Sequence, residues 1–212
     1  MFTLICQHLY GEQIGEYAVS QSIKEWNQNA FLWGVQGYEF LIFHRFLFWQ
    51  SGIMLKSYTE RFASLELSTI LKAIDDYRQK KDTPVLRCYR LGLECRALLK
   101  EETEPFIQYG LYMLKQAHPK EQELSLRNKI ETSLDIIMLR YLTGQLPIEF
   151  DMKQIFPKDE TVQLEIASLY CYLLNILFDE KQELSVLLQA TEDARKTCGM
   201  LNDRSTLKKS FF

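Results

Sequence analysis

Two short polar stretches of the chain carry the residue types that bind hard metal ions. The first, DDYRQ, begins at Asp75, and the second, NDRSTLKKS, begins at Asn202. Carboxylate, amide and hydroxyl oxygens are the ligands that Mg²⁺ prefers, so facing helices could bring the two stretches together as a metal site. The simpler interpretation is that Asp75 and Asp76 lie on a solvated helix face and that Asn202 ends a helix.

The two stretches resemble the motifs with which class I terpene synthases hold Mg²⁺ on a diphosphate. The resemblance is incomplete, because Gln79 replaces the third acidic residue of the first motif and Ser210 replaces the glutamate of the second. We therefore expect a protein that is not an enzyme and has no metal or cofactor, with a terpene synthase-like enzyme as the alternative. The ligands that the alternative implies are Asp75, Asp76, Asn202 and Thr206.

Other enzyme and zinc motifs are missing from the sequence. It has no GxSxG, HExxH or GxGxxG pattern and no P-loop. Its five cysteines include no CxxC pair, and its three histidines are far apart, whereas zinc ligands come at close, paired spacing. We interpret the cysteines as reduced and mostly buried thiols.

A second set of polar residues could bind a peptide. Arginine bonds a carboxylate bidentately, and a groove with a few polar groups can fix a peptide while apolar pockets take its side chains. For each residue alone the alternative is an ordinary charged surface, as the i,i+4 spacing of Arg90 and Glu94 illustrates. The predicted peptide-binding residues are Arg45, Arg87, Arg90, Tyr109, Tyr112, Arg127 and Asn128.

The elements that would position these residues are all predicted to be helices. Five prolines and nine glycines leave little material for β-turns. Pro84 is placed to start a helix, and Gly144 is placed to end one. The spacing of the predicted helices favours antiparallel pairs of about 36–40 residues in a right-handed, tetratricopeptide-like repeat array. From residue 64 onward, the predicted helix starts lie near residues 64, 84, 104, 120, 159 and 181.

An aromatic-rich stretch, GYEFLIFHRFLFWQSG, raises the question of a membrane anchor. Its apolar run from Phe40 to Trp49 has about half the length of a membrane span and is interrupted by Arg45. We therefore predict a buried helix of a soluble protein over residues 38–50, after a loop that contains Gly34. Its apolar residues lie all round the helical wheel, which is typical of burial on more than one side.

Net charge and targeting signals indicate which classes of partner the chain contacts. The net charge is −3 and the pI about 5.7, whereas proteins that bind nucleic acid by themselves are usually basic. No signal peptide is evident at the first residues. We expect a cytoplasmic chain that contacts neither nucleic acid nor membrane directly.

The same aromatic stretch, read from Trp33, resembles a segment of the Rgg/MutR-type transcriptional regulators. In that family a Trp-Gly precedes Tyr-Glu-Leu, an apolar pair with Phe, and Leu-x-Phe; Arg45 stands where the family often has asparagine. The likeness extends loosely over residues 33–145. The matching residues are Trp33-Gly34, Tyr38-Glu39-Phe40, Ile42-Phe43 and Leu47-Phe48.

The resemblance implies a repeat domain of tetratricopeptide type that dimerises and binds a short hydrophobic signalling peptide in quorum sensing. A helix-turn-helix domain normally precedes it, and we expect this chain to lack one. The expected organisation is a single helical-repeat domain over residues 1–212, with N-terminal helices in 1–32, the family-like core in 33–145 and C-terminal helices in 146–212. An apolar edge would support a homodimer through the C-terminal helices. Its residues are Leu184, Val186, Leu187, Leu188, Phe211 and Phe212.

Overall fold

Helices account for all regular secondary structure in the residues that the computed structural model describes, 4–21, 24–46 and 55–202. The all-α fold class predicted from the sequence is confirmed. Within the described residues the α-helices are α1 (Leu4–Ser20), α2 (Gln28–Gln36), α3 (Lys56–Ala63), α4 (Leu67–Arg78), α5 (Pro84–Ala117), α6 (Glu123–Thr143), α7 (Glu160–Phe178) and α8 (Leu184–Leu201). Two 3₁₀ helices cover Gly37–Phe43 and Met152–Ile155.

Local signals set several helix ends as the sequence predicts. Pro84 is the first residue of α5, and the Thr83 side chain before it accepts a hydrogen bond from the N–H of Leu86 at 3.2 Å. Gly144 follows α6 with a φ of 73°, in the left-handed region that glycine adopts without steric cost. These ends therefore depend on residues within one turn of the boundary.

α5 is one continuous helix where the sequence predicts two. Pro105 lies inside it, close to the predicted helix start near residue 104, and lacks the N–H that would bond the carbonyl four residues earlier. Beyond the proline, Ile107 and Leu111 are buried against Leu126 and Ile130 of α6. We attribute the continuity of α5 to this packing, which offsets the lost hydrogen bond.

α2 and α5 meet at two glycines. Gly34, predicted to lie in a loop, is inside α2, and Gly92 is inside α5. A Cβ atom on Gly34 would stand 2.1 Å from the Tyr89 carbonyl oxygen, and one on Gly92 would stand 2.3 Å from the Phe31 carbonyl oxygen. The two helix backbones are therefore in direct contact, which only residues without a side chain permit.

The aromatic stretch is not a single α-helix. Its 3₁₀ helix, Gly37–Phe43, is bounded by Gly37 with a φ of 61° and is followed by Arg45 with a φ of 53°. Since an α-helix requires negative φ, these two residues interrupt it. The helix predicted over residues 38–50 is therefore 3₁₀ and not α over residues 38–43, and it is wrong for residues 44–46. Residues 47–50 lie outside the described residues.

Burial of the aromatic stretch is nevertheless confirmed for its first part. Phe40 has no exposed surface and packs edge-to-face on Trp33, with ring centroids 5.9 Å apart, and on Tyr170 of α7, at 4.9 Å. The Trp33 Nε1–H donates a hydrogen bond to the Pro157 carbonyl oxygen at 3.0 Å. These contacts join α2 and the 3₁₀ helix to the C-terminal helices in one core.

Judged only by its length and apolar composition, α7 could cross a membrane. Eight of its nineteen residues are nevertheless buried, among them Ile166, Leu173 and Leu174. An apolar helix whose side chains fill a protein core passes the same test. We therefore describe α7 as a core helix.

A buried carboxylate on α6 caps the start of α1. Asp135 accepts hydrogen bonds from the N–H of Cys6 at 2.7 Å and of Ile5 at 3.5 Å. It thereby satisfies N–H groups that have no partner inside the helix. Burial raises the pKa of Asp135 to about 6, although the Cys6 hydrogen bond acts in the opposite direction.

We expect Asp135 to make the protein more stable as the pH falls from 7 to 5. Its folded pKa of about 6 exceeds the value of 3.8 for an unperturbed aspartate, so the folded state binds the proton more tightly. The resulting stabilisation is complete below pH 3.8 and is lost as the pH rises through 6. Relative to Asp135→Asn, wild type should gain about 1–1.5 kcal/mol of unfolding free energy between pH 7 and pH 5. Urea denaturation of both proteins at the two pH values measures this difference, and parallel pH dependences would contradict it.

Candidate functional site

A cleft of about 920 Å³ opens between the 3₁₀ helix Gly37–Phe43, α3, α5, α6 and the end of α8. We call it the α3–α6 cleft. Its lining is mixed, because it contains both apolar and charged side chains. The apolar residues that line it include Tyr38, Ile42, Phe43, Phe46 and Leu124. The charged and polar residues that line it include Glu39, Lys56, Thr59, Glu60, Arg96, Lys100, Glu104, Arg127, Asn128, Glu131 and Thr197.

A buried ion pair is part of the cleft lining. The Arg96 guanidinium of α5 donates a hydrogen bond to the Glu39 carboxylate of the 3₁₀ helix, and the two side chains are only 8% and 7% exposed. The same guanidinium lies over the Tyr38 ring, 4.9 Å from its centroid. Burial raises the pKa of Tyr38, although the Arg96 charge partly opposes this. The arrangement fixes an arginine charge beside an aromatic face.

Arg127 forms a second, more exposed ion cluster on the α6 wall. Its two terminal nitrogens donate to the two Glu104 oxygens at 2.9 and 2.7 Å, and its Nε donates to Glu131 at 2.8 Å. The bidentate hydrogen bond from Arg127 lowers the pKa of Glu104 to about 2. Glu104 therefore stays ionised at neutral pH, and the two carboxylates hold Arg127 in one orientation.

Several polar groups in the cleft lining remain available to a ligand. The hydroxyls of Thr59 and Thr197 are buried and bond no described residue. Lys56 and Lys100 are exposed and form no ion pair with another described residue. A buried hydroxyl without a partner is uncommon, and a lysine ammonium carries three donors, so both kinds of group can bond an incoming polar molecule.

The predicted peptide-binding residues are divided among different surfaces. Only Arg127 and Asn128 line the α3–α6 cleft. Arg87 is held by Asp82 and Glu25. Arg90 is held by Asp75 at 2.8 Å and by Glu94 at 2.9 Å. Tyr109 and Tyr112 lie exposed on α5, outside the cleft lining.

Arg45, also predicted to bind the peptide, is outside the cleft lining as well. Its backbone N–H donates to an Asp193 carboxylate oxygen at 2.9 Å. Its neighbour His44 is 1% exposed, and neither ring nitrogen bonds a described residue. Burial lowers the pKa of His44, so the ring is neutral at pH 7.

Sequence reasoning missed the buried ion pair that lines the cleft. Arg96 follows the buried Cys95 on the apolar side of α5, where no motif marks it, and its partner Glu39 is 57 residues away in the chain. Glu39 belongs to the quoted Tyr-Glu-Phe stretch, but its role depends on a contact that the sequence does not display. The one available signal is an arginine among apolar helix positions, which must find a carboxylate.

The two polar stretches that the terpene synthase alternative requires, which begin at Asp75 and Asn202, bond different residues. Asp75 pairs with Arg78 and Arg90, and the Asn202 side chain bonds Asp151 and the N–H of Met152. Thr206 lies outside the described residues. Within the described ranges no group of three His, Cys, Asp or Glu side chains is placed to hold a metal ion. None of the five cysteines, all of which are described, forms a disulfide.

The apolar edge predicted for dimerisation is largely occupied. Leu187 has no exposed surface and belongs to the core, so its assignment to an exposed edge is wrong. Val186 and Leu188 are half-buried against the same core, because α8 turns this side toward α7. Leu184 is exposed. Phe211 and Phe212 lie outside the described residues.

Comparison of the chain with protein-family models, with curated proteins and with solved structures finds no match.

Proposed function

We propose that the chain is a regulatory domain that binds a short hydrophobic peptide, or a segment of a partner protein, in the α3–α6 cleft. The observation that carries the proposal is the mixed lining of that cleft. Tyr38, Ile42 and Phe46 offer apolar contact for side chains, while Asn128 and the lysines on α3 and α5 offer donors to a peptide backbone or carboxylate. Ligand sites typically combine an apolar wall with a few polar groups.

The Rgg/MutR resemblance supports the type of domain and the type of ligand that we propose. It implies a dimeric, peptide-sensing tetratricopeptide-type domain, and we propose a degenerate, right-handed arrangement of that type for these helices. Consecutive helices pack on each other at α1–α2, α4–α5, α5–α6 and α7–α8. A position that the family often fills with asparagine, Arg45, has the positive φ that asparagine tolerates well. A cytoplasmic location and a role in transcription regulation belong to the same proposal.

The residues that we propose for peptide recognition in the cleft differ from those that the sequence predicts. Arg127 already donates hydrogen bonds to two carboxylates, so its role is to keep that wall of the cleft in one conformation. Asn128, next to it on α6, is exposed and lines the cleft. We expect Asn128 and the exposed Lys56 and Lys100 to contact the peptide.

Blocking the cleft should weaken peptide binding. The probe is a pool of hydrophobic peptides of seven to ten residues, selected on the immobilised full chain and identified by mass spectrometry. Asn128→Trp places a bulky ring in the cleft and should weaken a selected peptide by at least about tenfold, or about 1.4 kcal/mol, in fluorescence anisotropy.

Ser133→Trp is the matched control, because Ser133 is exposed on the same helix and does not line the cleft. It should leave the peptide affinity unchanged. If no peptide is selected, or if both variants bind a selected peptide as wild type does, the proposed function is wrong. Circular dichroism of both variants shows whether they retain the helical fold.

A further inference from the structure

A second, smaller cavity lies between α1, α5 and α6. Its volume is about 170 Å³, and it shares no described lining residue with the α3–α6 cleft. α1 contributes Leu9 to its walls, and α5 contributes Leu99 and Ile107. Leu134 and Met138 of α6 complete the apolar lining, and they lie on one side of their helix because they are four residues apart. We call this space the α1–α6 cavity.

The α1–α6 cavity lies where two apolar clusters approach each other without merging. Leu9 belongs to the main core, and Met138 packs against it. Ile107 belongs to the separate small cluster between α5 and α6, and Leu99 and Leu134 pack against that cluster. Protein interiors contain few voids larger than a water molecule. A space of this size between two apolar clusters is therefore one that an apolar ligand can fill.

The lining of the cavity contains no charged side chain among the described residues. Two of its polar groups are already engaged. The Thr103 hydroxyl donates to a carbonyl oxygen of its own helix at 2.7 Å, and the Cys6 thiol donates to the Asp135 carboxylate. The remaining polar groups of the lining are the Tyr10 hydroxyl and the Gln13 amide, and the exposed Gln13 stands at the mouth. Because a buried charge without a partner is costly, this lining favours an uncharged ligand.

We propose that the α1–α6 cavity binds one small, neutral, apolar molecule of about six to eight carbon atoms that carries at most one hydroxyl or comparable polar group. The volume sets the size, since an apolar protein cavity of about 150 Å³ stays dry and takes one benzene molecule. The apolar part of the ligand contacts Ile107, Leu134 and Met138, and its polar group points to Gln13. A bound ligand thereby joins the main core to the small α5–α6 cluster.

The test is a titration of the full chain with benzyl alcohol, followed by NMR of ¹³C-labelled methionine methyl groups. The chain has six methionines. Met138 lines the cavity, so the ring current of a bound aromatic ring should shift its methyl signal, which Met138→Leu identifies. The shift should saturate with a Kd on the order of 0.1–1 mM, a range that a ligand of this size can reach. Benzoate, which adds a charge to the same ring, should bind at least about tenfold more weakly.

Filling the cavity should remove the binding. Leu134→Trp places an indole ring in the space and should weaken benzyl alcohol by at least about tenfold. Ile137→Trp is the matched control, because Ile137 is 60% exposed on the same helix and does not line the cavity. It should leave the Kd unchanged. Circular dichroism checks the fold of each variant, and Leu99→Trp fills the same space from α5 where Leu134→Trp does not fold.

Enlarging the cavity should change its specificity. Leu134→Ala adds space on the α6 side, so it should raise the affinity for naphthalenemethanol relative to benzyl alcohol by at least about threefold. A residue that serves only to pack the two helices would not change the ratio of these two affinities. An unchanged ratio in Leu134→Ala would therefore contradict a ligand contact at Leu134.

Three results would overturn the proposal as a whole. The first is a Met138 signal that stays in place, or that moves in proportion to the alcohol concentration without saturating. The second is equal binding of benzoate and benzyl alcohol. The third is a folded Leu134→Trp or Leu99→Trp variant that binds as wild type does. Peptide binding to the α3–α6 cleft is measured separately, so failure of this site and failure of the proposed function are distinguishable.

Discussion

Gly92→Ala is expected to destabilise the protein by about 3 kcal/mol or more, because it forces two helix backbones apart. The new methyl group would meet the Phe31 carbonyl oxygen at 2.3 Å and the Val35 nitrogen at 2.8 Å. Neither atom can move without shifting α2. The Tyr89 side chain on α5 and the Phe31 side chain on α2 are fully buried beside this contact, so a shift of α2 would loosen the core around them.

The measurement is urea denaturation followed by circular dichroism at 222 nm. Gly199→Ala on α8 is the control, because its methyl group would meet only the flexible Lys153 side chain, at 3.1 Å. Alanine favours a helix interior over glycine by up to about 1 kcal/mol, so the control should be neutral or slightly stabilising. Equal stability of wild type and Gly92→Ala would show that α2 and α5 are not in direct backbone contact.

Glu39→Ala should cost about 3–5 kcal/mol, because it leaves the Arg96 charge buried without its carboxylate. Arg96 is always protonated, so it cannot avoid the cost by losing its charge. The Tyr38 ring beneath the guanidinium offers a weaker interaction that cannot replace the ion pair. The loss is a stability effect, distinct from any effect on peptide binding in the neighbouring cleft.

A double variant distinguishes the electrostatic contribution of the Glu39–Arg96 pair to stability from the contribution of side-chain packing. Glu39→Ala combined with Arg96→Met removes both charges and should recover most of the lost stability, since an apolar replacement for a buried pair is often nearly neutral. Glu192→Ala breaks the exposed Lys196–Glu192 pair and should cost less than about 0.5 kcal/mol. If Glu39→Ala costs as little stability as Glu192→Ala, the Glu39–Arg96 pair is solvated in solution.

These two predictions concern the same part of the molecule, where α5 meets α2 and the 3₁₀ helix. Gly37 illustrates how closely the elements are fitted there. It has a φ of 61°, and a Cβ on it would stand 2.9 Å from the Arg96 Nε. The glycine therefore supplies both the turn after α2 and the space for the buried arginine.

Much of the fold could be predicted from local sequence. The Thr83-Pro84 start, the Gly144 end and the apolar periodicity of α7 and α8 each act through residues within a turn or two of one another. The interpretation of the aromatic stretch as protein core, exemplified by Phe40, also followed from its length and composition. These features need no knowledge of distant parts of the chain.

The candidate site was much less predictable. Of the seven predicted binding residues, Arg127 and Asn128 line the cleft, while Arg87 and Arg90 are engaged with carboxylates elsewhere. Helical periodicity places a residue on one face of its own helix, but it does not say which helix covers that face. Tyr109 on α5 and Asn128 on α6 thus belong to separate surfaces, although each was correctly placed on a helix.

The sequence by itself determined the all-α class, several helix ends and the burial of the first part of the aromatic stretch, because these depend on local dihedral preference and on apolar content. Only the tertiary structure decided that α5 continues through Pro105, that Gly34 lies inside a helix and that Arg96 pairs with Glu39. In the first two cases contacts between residues far apart in the chain outweigh a local preference of about 1–3 kcal/mol against proline or glycine in a helix. The third is itself a contact between residues 57 positions apart.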